Sequence, residues 1–236
     1  MRKTKIVCTV GPATDDDNVL RELMKSGMDV ARFNFSHSDH DVHKKRFETI
    51  KRLRAELGLN IATLLDTKGP EIRLRDFKDH KPVYIKDGED FTLTTKDVEG
   101  TEKIASITFE HLPKDVSVGS RILINDGVIE MVVKTVSDTD ITCTVIHGGK
   151  LSDHKGVNVP GAKLSMPYIS DADMADLEFG AKMGFDFIAA SFVRTGADVI
   201  YLRKFTQSLG WANPRIIAKI ENAEGVENID EILEAD

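Results

Sequence analysis

Asn60-Ile61-Ala62-Thr63-Leu64-Leu65-Asp66-Thr67-Lys68-Gly69-Pro70-Glu71-Ile72-Arg73 is where the chain changes character. Its first half is an apolar run read as a β-strand that closes on a carboxylate. Gly69-Pro70 then redirects the chain, and beyond it the spacing of apolar residues changes from helical to alternate. Upstream, Ile6 to Val10 is a short β-branched run stopped by Gly11-Pro12. Thr14 before Asp15, Asp16 and Asp17 predicts a helix start, and Val19, Leu20, Leu23 and Met24 recur at helical spacing as far as Gly27. Met28 to Phe35 reads as a second strand. Val42, Phe47, Ile50, Leu53 and Leu57 then make one face of a helix that Gly58 stops. This rhythm predicts parallel strands, because each helical crossover returns the chain to the same end of the sheet.

From residue 70 to residue 166 the pattern is that of an all-β insertion. Asp126-Gly127, between Arg121 to Asn125 and Val128 to Val133, is a hairpin signal, since both residues tolerate the positive φ of a type I′ turn. A second hairpin is expected where Ser137 to Asp140 turns into Ile141 to Ile146. From residue 167 the βα rhythm returns. Ser170 is expected to cap a helix reaching Gly180, Phe185 to Phe192 to form a strand, and Asp198 to Leu209 a helix. Arg215 to Glu221 is the fifth strand of the series, with a last helix over Val226 to Glu234. The α/β part therefore comprises residues 1–69 and 167–236 with about five strands. A complete (β/α)8 barrel needs about 250 residues, so periodicity alone leaves open a smaller open sheet or part of a barrel.

The chain has 236 residues, 41% of them hydrophobic and 30% charged, enough for one or two real cores. A formal net charge of -7 makes nucleic acid an improbable partner for the molecule as a whole. Cys8 and Cys143 have neither the number nor the spacing of a disulfide framework or a zinc site, which fits a reducing cytoplasm. The N-terminus is basic, but the apolar run after it is too short for a signal peptide or a membrane span, so a soluble, untargeted protein is expected.

Ligands of parallel α/β folds sit beyond the C-terminal ends of the strands, so the strand ends are the places to look for chemistry. Alternation puts Arg32, Asn34 and Ser36 on one face of the second strand and Phe33 and Phe35 on the other. The plain alternative is a solvated strand end with Ser36 capping the next helix. Asp66, at the rim of the third strand, could bind a cation or serve a turn. Lys219 and Glu221, two apart at the end of the fifth, could be a rim salt bridge, or a phosphoryl-directed cation beside a metal-binding carboxylate. His147-Gly148-Gly149-Lys150 and His154-Lys155-Gly156-Val157-Asn158 read as a flexible cationic loop suited to a phosphate lid. His37, His40 and His43 are expected on a helix surface.

Five separated blocks, in order, resemble the signature segments of the pyruvate kinase family. They are Lys3 to Pro12, Ala31-Arg32-Phe33-Asn34-Phe35-Ser36-His37, Leu65 to Arg73, Lys155 to Gly161, and Ile217-Ala218-Lys219-Ile220-Glu221-Asn222. The resemblance implies a partial TIM barrel with an inserted all-β lid domain. It implies phosphoryl transfer from phosphoenolpyruvate to ADP, giving pyruvate and ATP, with Mg²⁺ (or Mn²⁺) and K⁺ as cofactors and a homotetrameric parent enzyme. It further implies that Asn34, Ser36, Asp66 and the Thr67 carbonyl bind K⁺, that Glu221 binds Mg²⁺, and that Arg32 and Lys219 act on the phosphoryl group. Asn34, Phe35, Ser36, His37, Arg73 and Lys155 would meet the nucleotide. The family's second acidic metal ligand belongs to a glycine-aspartate block not found in these residues, a role not given to Asp236. The 236-residue chain is accordingly expected to be an incomplete fragment without turnover of its own. The alternatives are a non-catalytic nucleotide-binding fragment and a metal-dependent aldolase; Arg73, Lys155 and the β insertion speak against the aldolase.

Overall fold

The computed structural model describes residues 3–235. The first segment runs strand β1 (Val7–Thr9), helix α1 (Asp17–Lys25), strand β2 (Val30–Asn34), helix α2 (His40–Leu57) and strand β3 (Ala62–Asp66). Helix α1 starts later than the sequence suggests. Thr14 closes a short 3-10 turn by bonding Gly11, and it is the Asp16 carboxylate that accepts the N–H groups of Asn18 and Val19. Ser36 does not cap α2 either; Asp39 does, through Val42 N–H. On α2 the buried face is His43, Phe47, Ile50 and Leu53, with Val42 turned to solvent. His43 is therefore a core residue rather than a surface one: its ring stacks on Phe35 with centroids 4.2 Å apart, and its Nε2 meets the His37 carbonyl at 2.9 Å.

Residues 71–167 form a compact unit of their own. Its strands are β4 (Ile72–Arg73), β5 (Val83–Ile85), β6 (Asp90–Thr94), β7 (Ile104–Ser106), β8 (Arg121–Ile124), β9 (Ile129–Val136), β10 (Asp140–His147), β11 (Gly149–Leu151) and β12 (Gly156–Asn158). Seven of them make one sheet in the order β4-β12-β8-β9-β10-β6-β7, and β11 pairs with β5. A short helix α3 (Leu112–Asp115) and a 3-10 turn at Lys78–His80 interrupt what was expected to be purely β. At the β8–β9 hairpin, Val128 N–H reaches the Asn125 carbonyl at 3.1 Å, with Asp126 and Gly127 at φ 55° and 83° between them. Asp126-Gly127 thus occupies the two positions that require a left-handed backbone. The expected glycine-rich loop is instead largely strand: residues 149–151 and 156–158 are laddered, and Gly156 sits opposite Arg73. Beneath lies a core that includes Phe77, Phe91, Leu93, Ile122, Met131 and Cys143.

The chain then completes the first unit, residues 1–70 with 168–236. Helix α4 (Asp171–Met183), strand β13 (Phe187–Ala190), helix α5 (Gly196–Ser208), strand β14 (Arg215–Ala218) and helices α6 (Ala223–Glu227) and α7 (Ile229–Ala235) follow. The single terminal helix of the sequence reading is thus two. Ser170 and Asp173 form a reciprocal capping box on α4, and Gly184 ends it in the left-handed conformation. The five strands are all parallel and stand in consecutive order, β1-β2-β3-β13-β14, as expected of a half-barrel wound with right-handed crossovers. Helix side chains such as Phe47, Leu53, Leu177 and Leu202 pack on Phe33, Leu65 and Ile188. Among the described residues no helix is long and apolar enough to cross a membrane.

Candidate functional site

The C-terminal ends of β2, β3, β13 and β14 bring charged side chains together. Strand β2 alternates half-buried and buried, so Phe33 and Phe35 enter the core while Arg32 and Asn34 face the other way. Asp66, the last residue of β3, is 2% exposed and is surrounded by donors. Arg32 holds one carboxylate oxygen through Nε at 2.6 Å and Nη2 at 2.5 Å, while the other accepts from Lys219 Nζ at 3.0 Å and Ser191 Oγ at 3.3 Å. A buried carboxylate is tolerated only when paired and hydrogen-bonded in this way.

Lys219 lies one residue past β14, where its N–H still bonds the Ala190 carbonyl of β13. Its ammonium contacts Asp66, Ser191 Oγ at 2.8 Å and Glu221 Oε1 at 3.3 Å. Glu221 is fixed in turn by the N–H of Phe192, which reaches Oε2 at 3.1 Å. Phe192 makes that bond from φ +54°, a left-handed backbone rare for a bulky side chain and the kind of strain that accompanies ligand sites. Next to it Gly69, at φ +71°, passes so close that a Cβ there would lie 2.9 Å from Ser191 Cβ and from its carbonyl oxygen.

Of the residues singled out from sequence, Arg32, Asp66, Lys219 and Glu221 thus form one contiguous cluster. Thr67 adjoins it: its carbonyl accepts from Ser191 Oγ at 2.6 Å, and its own Oγ1 accepts from Ser191 N–H at 3.1 Å. Asn34 and Ser36 meet each other through Asn34 Oδ1 and Ser36 N–H at 3.0 Å. Phe35 turns its ring into the core, leaving only its backbone to a ligand, and His37 is exposed. Arg73 and Lys155 belong to the β unit. There Arg73 bonds Glu71 and the His154 carbonyl, and the Lys155 carbonyl accepts from Leu74 N–H. Asp236 lies outside the described residues. Ser191, which joins Asp66, Thr67 and Lys219, was missed by sequence reasoning; a small hydroxyl residue directly after the apolar run of the fourth strand was the available signal.

Arg32 and Lys219 carry two positive charges against two negative charges on Asp66 and Glu221, so the cluster is neutral as it stands. A neutral cluster attracts an anionic ligand only when further positive charge is brought in, which a metal ion can supply. The oxygen donors of Asn34, Ser36, Asp66 and Thr67 are hard, as an alkali cation requires. A carboxylate has about four lone-pair sites, and Asp66 already faces four donor atoms, the Ser191 hydroxyl being the most distant at 3.3 Å and sharing its one proton with the Thr67 carbonyl at 2.6 Å. Glu221, held by Lys219 and the Phe192 N–H, belongs among the described residues to no three-residue cluster of potential ligands; a single carboxylate of this kind can hold Mg²⁺ only together with other oxygen ligands.

A family model described as pyruvate kinase, barrel domain, matches residues 1–236. The chain is 49% identical over 236 residues to pyruvate kinase of Staphylococcus saprophyticus, covering 99% of this chain and 40% of that protein. It is 48% identical to pyruvate kinase of Geobacillus stearothermophilus with the same coverage. Against pyruvate kinase of Clostridium perfringens it is 46% identical over 234 residues, covering 99% of this chain and 49% of that protein. The chain therefore spans about two fifths to one half of the length of the curated relatives it matches.

Proposed function

The chain belongs to the pyruvate kinase family, and from that premise we propose that its strand-end cluster is part of the site at which a phosphoryl group passes from phosphoenolpyruvate to ADP. One observation carries the reading: Lys219 Nζ is held by Asp66, Ser191 and Glu221 on the rim of a parallel sheet, with Arg32 on the far oxygen of the same Asp66. Phosphoryl transfer asks little covalent chemistry of a protein. It asks for positioned positive charge around three equatorial oxygens.

In this reading Arg32 and Lys219 bind the phosphoryl group of phosphoenolpyruvate. Asp66 holds the two cations at a set separation, so they are pre-organised before substrate arrives. As the bond to the enol oxygen breaks and the bond to the ADP oxygen forms, Lys219 balances charge on the group in flight. Glu221 would hold Mg²⁺ or Mn²⁺, and Asn34, Ser36, Asp66 and Thr67 would hold K⁺. Such ions would supply the positive charge that the neutral cluster lacks. Arg73 and Lys155, both carried by the β unit, would bind the nucleotide phosphates. The five parallel strands are then part of a (β/α)8 barrel, and the 236 residues alone do not turn over.

The test is a coupled assay of ATP formation from phosphoenolpyruvate and ADP by the gene product that carries these residues, beside its Lys219→Met form. The expected result is a loss of at least about a hundredfold in kcat, the scale of removing one preorganised electrostatic group. Parent-like turnover by the variant would overturn the assignment. Turnover by the 236-residue chain alone would overturn the last part of the reading.

A further inference from the structure

The β unit carries a second cluster that the phosphoryl-transfer reading does not use. Asp76, His80 and Asp153 each offer one ligand atom, and these three atoms lie within 4.8 Å of one another. His80 Nδ1 is 2.8 Å from Asp153 Oδ2, and His154 Nε2 is 3.2 Å from Asp76 Oδ1. Ligand atoms about 2.0–2.1 Å from a tetrahedral Zn²⁺ are about 3.3 Å apart. The His80–Asp153 pair, at 2.8 Å, therefore needs to open by about half an ångström to share an ion, and the Asp76 atom lies within 4.8 Å of both.

The backbone beneath them is firmly held. Phe77, between the first two ligands, is buried under Gly100, where a Cβ would come within 2.7 Å of its ring. On either side, Gly100 N–H bonds the Asp76 carbonyl and Lys78 N–H bonds the Gly100 carbonyl. Phe77 N–H donates to Asp153 Oδ1 at 2.6 Å, which turns Oδ2 toward His80. Arg73 holds the His154 carbonyl at 2.9 Å. Asp79, His80 and His154 all have left-handed backbones, φ 55°, 54° and 58°, so the side chains that converge are carried on an unusual local path.

We propose that Asp76, His80 and Asp153 form a site for a divalent first-row transition ion of the Zn²⁺ class, with an open fourth position for water and with His154 hydrogen-bonded to the Asp76 ligand. One imidazole and two carboxylates suit Zn²⁺ and set the site apart from an all-oxygen Mg²⁺ site. A histidine partner on a ligating carboxylate is the outer support such sites use.

The experiment uses the 236-residue chain without a histidine tag, stripped of metal, and titrated with Zn²⁺ by calorimetry and with Co²⁺ by visible absorption. One ion per chain is expected, with Co²⁺ bands of low coordination number that excess Mg²⁺ does not abolish. His80→Gln is expected to weaken Zn²⁺ binding at least about tenfold; His80 is exposed, so its replacement does not disturb the fold. His147→Gln, an exposed histidine at the end of β10, is expected to bind like the parent. No saturable Zn²⁺ binding, equal binding by His80→Gln, or ready displacement by Mg²⁺ would each overturn the proposal.

Discussion

Neutralising Asp66 and Lys219, singly and together, tests the core of the candidate site without relying on turnover. Lys219→Met keeps the aliphatic stem and removes an ammonium that contacts Asp66, Ser191 and Glu221. Breaking a fully buried pair costs about 3–5 kcal/mol, and a hydrogen bond to a charged group is worth about 1.5–3 kcal/mol. Lys219 is 28% exposed at its side chain and Asp66 keeps Arg32, so the lower range applies, with an expected loss of about 2 kcal/mol. Asp66→Asn leaves two cations sharing one neutral amide at a 2% exposed position, and about 3 kcal/mol is expected. In the double variant the Lys219 charge is no longer stranded, so the losses should fall short of additivity by at least about 1 kcal/mol. Urea unfolding followed by Trp211 fluorescence is the assay, because Trp211 is the sole tryptophan and packs on the core of the α/β unit. Losses that add to within about 0.4 kcal/mol would refute the coupling and, with it, the placement of Lys219 on Asp66.

Three further outcomes follow from other parts of the structure. Gly69→Ala combines a left-handed backbone with a Cβ 2.9 Å from Ser191, and a loss of about 2–3 kcal/mol in the same unfolding assay is expected; a neutral result would mean that the strand-end loops are not packed as described. Burial pushes the Cys143 thiol up to about 12, so at pH 8 it stays almost wholly protonated. Ellman's reagent should leave Cys143 unmodified in the folded chain and titrate both cysteines in urea. His43 is held below the ordinary histidine range chiefly by burial, with Arg46 and His40 adding to the effect and the His37 carbonyl and Asp39 opposing it. Its unfolded form takes up a proton first, so its contribution is intact above about pH 6.5 and is lost as pH falls through the depressed folded value; His43→Gln should flatten that part of the stability profile.

Much of this was legible in the chain because period and punctuation are local. The strands ending at Asn34 and Asp66, the Ser170 cap and the Asp126-Gly127 turn each depend on a few adjacent residues. Errors arose where two neighbours compete for one role. Asp16 outcompetes Thr14, and Asp39 outcompetes Ser36, because the short carboxylate sits one turn before the first free N–H groups. His43 was expected on a helix surface, but Phe35 supplies a ring to stack on and His37 a carbonyl to bond. In the site, alternation along β2 showed Arg32 facing away from Phe33, yet nothing local says that Arg32 meets Asp66 from the next strand. Ser191 was missed for the same reason: its place after the apolar run of the fourth strand was a local signal, but its partners Asp66 and Thr67 lie more than a hundred residues away in sequence.

That separation has a kinetic consequence. Strands β3 and β13 are immediate neighbours, Asp66 opposite Ala189, although residues 71–167 intervene. Closing a flexible loop of that length costs roughly 4 kcal/mol of chain entropy by its logarithmic dependence on length. If the β unit collapses first, its two ends are already drawn in and most of that entropy has been lost before the strands meet. The inserted unit would then act as a folding clamp for the sheet it interrupts, and destabilising its core, for instance through Phe77 or Phe91, should slow the pairing that creates the Asp66 site.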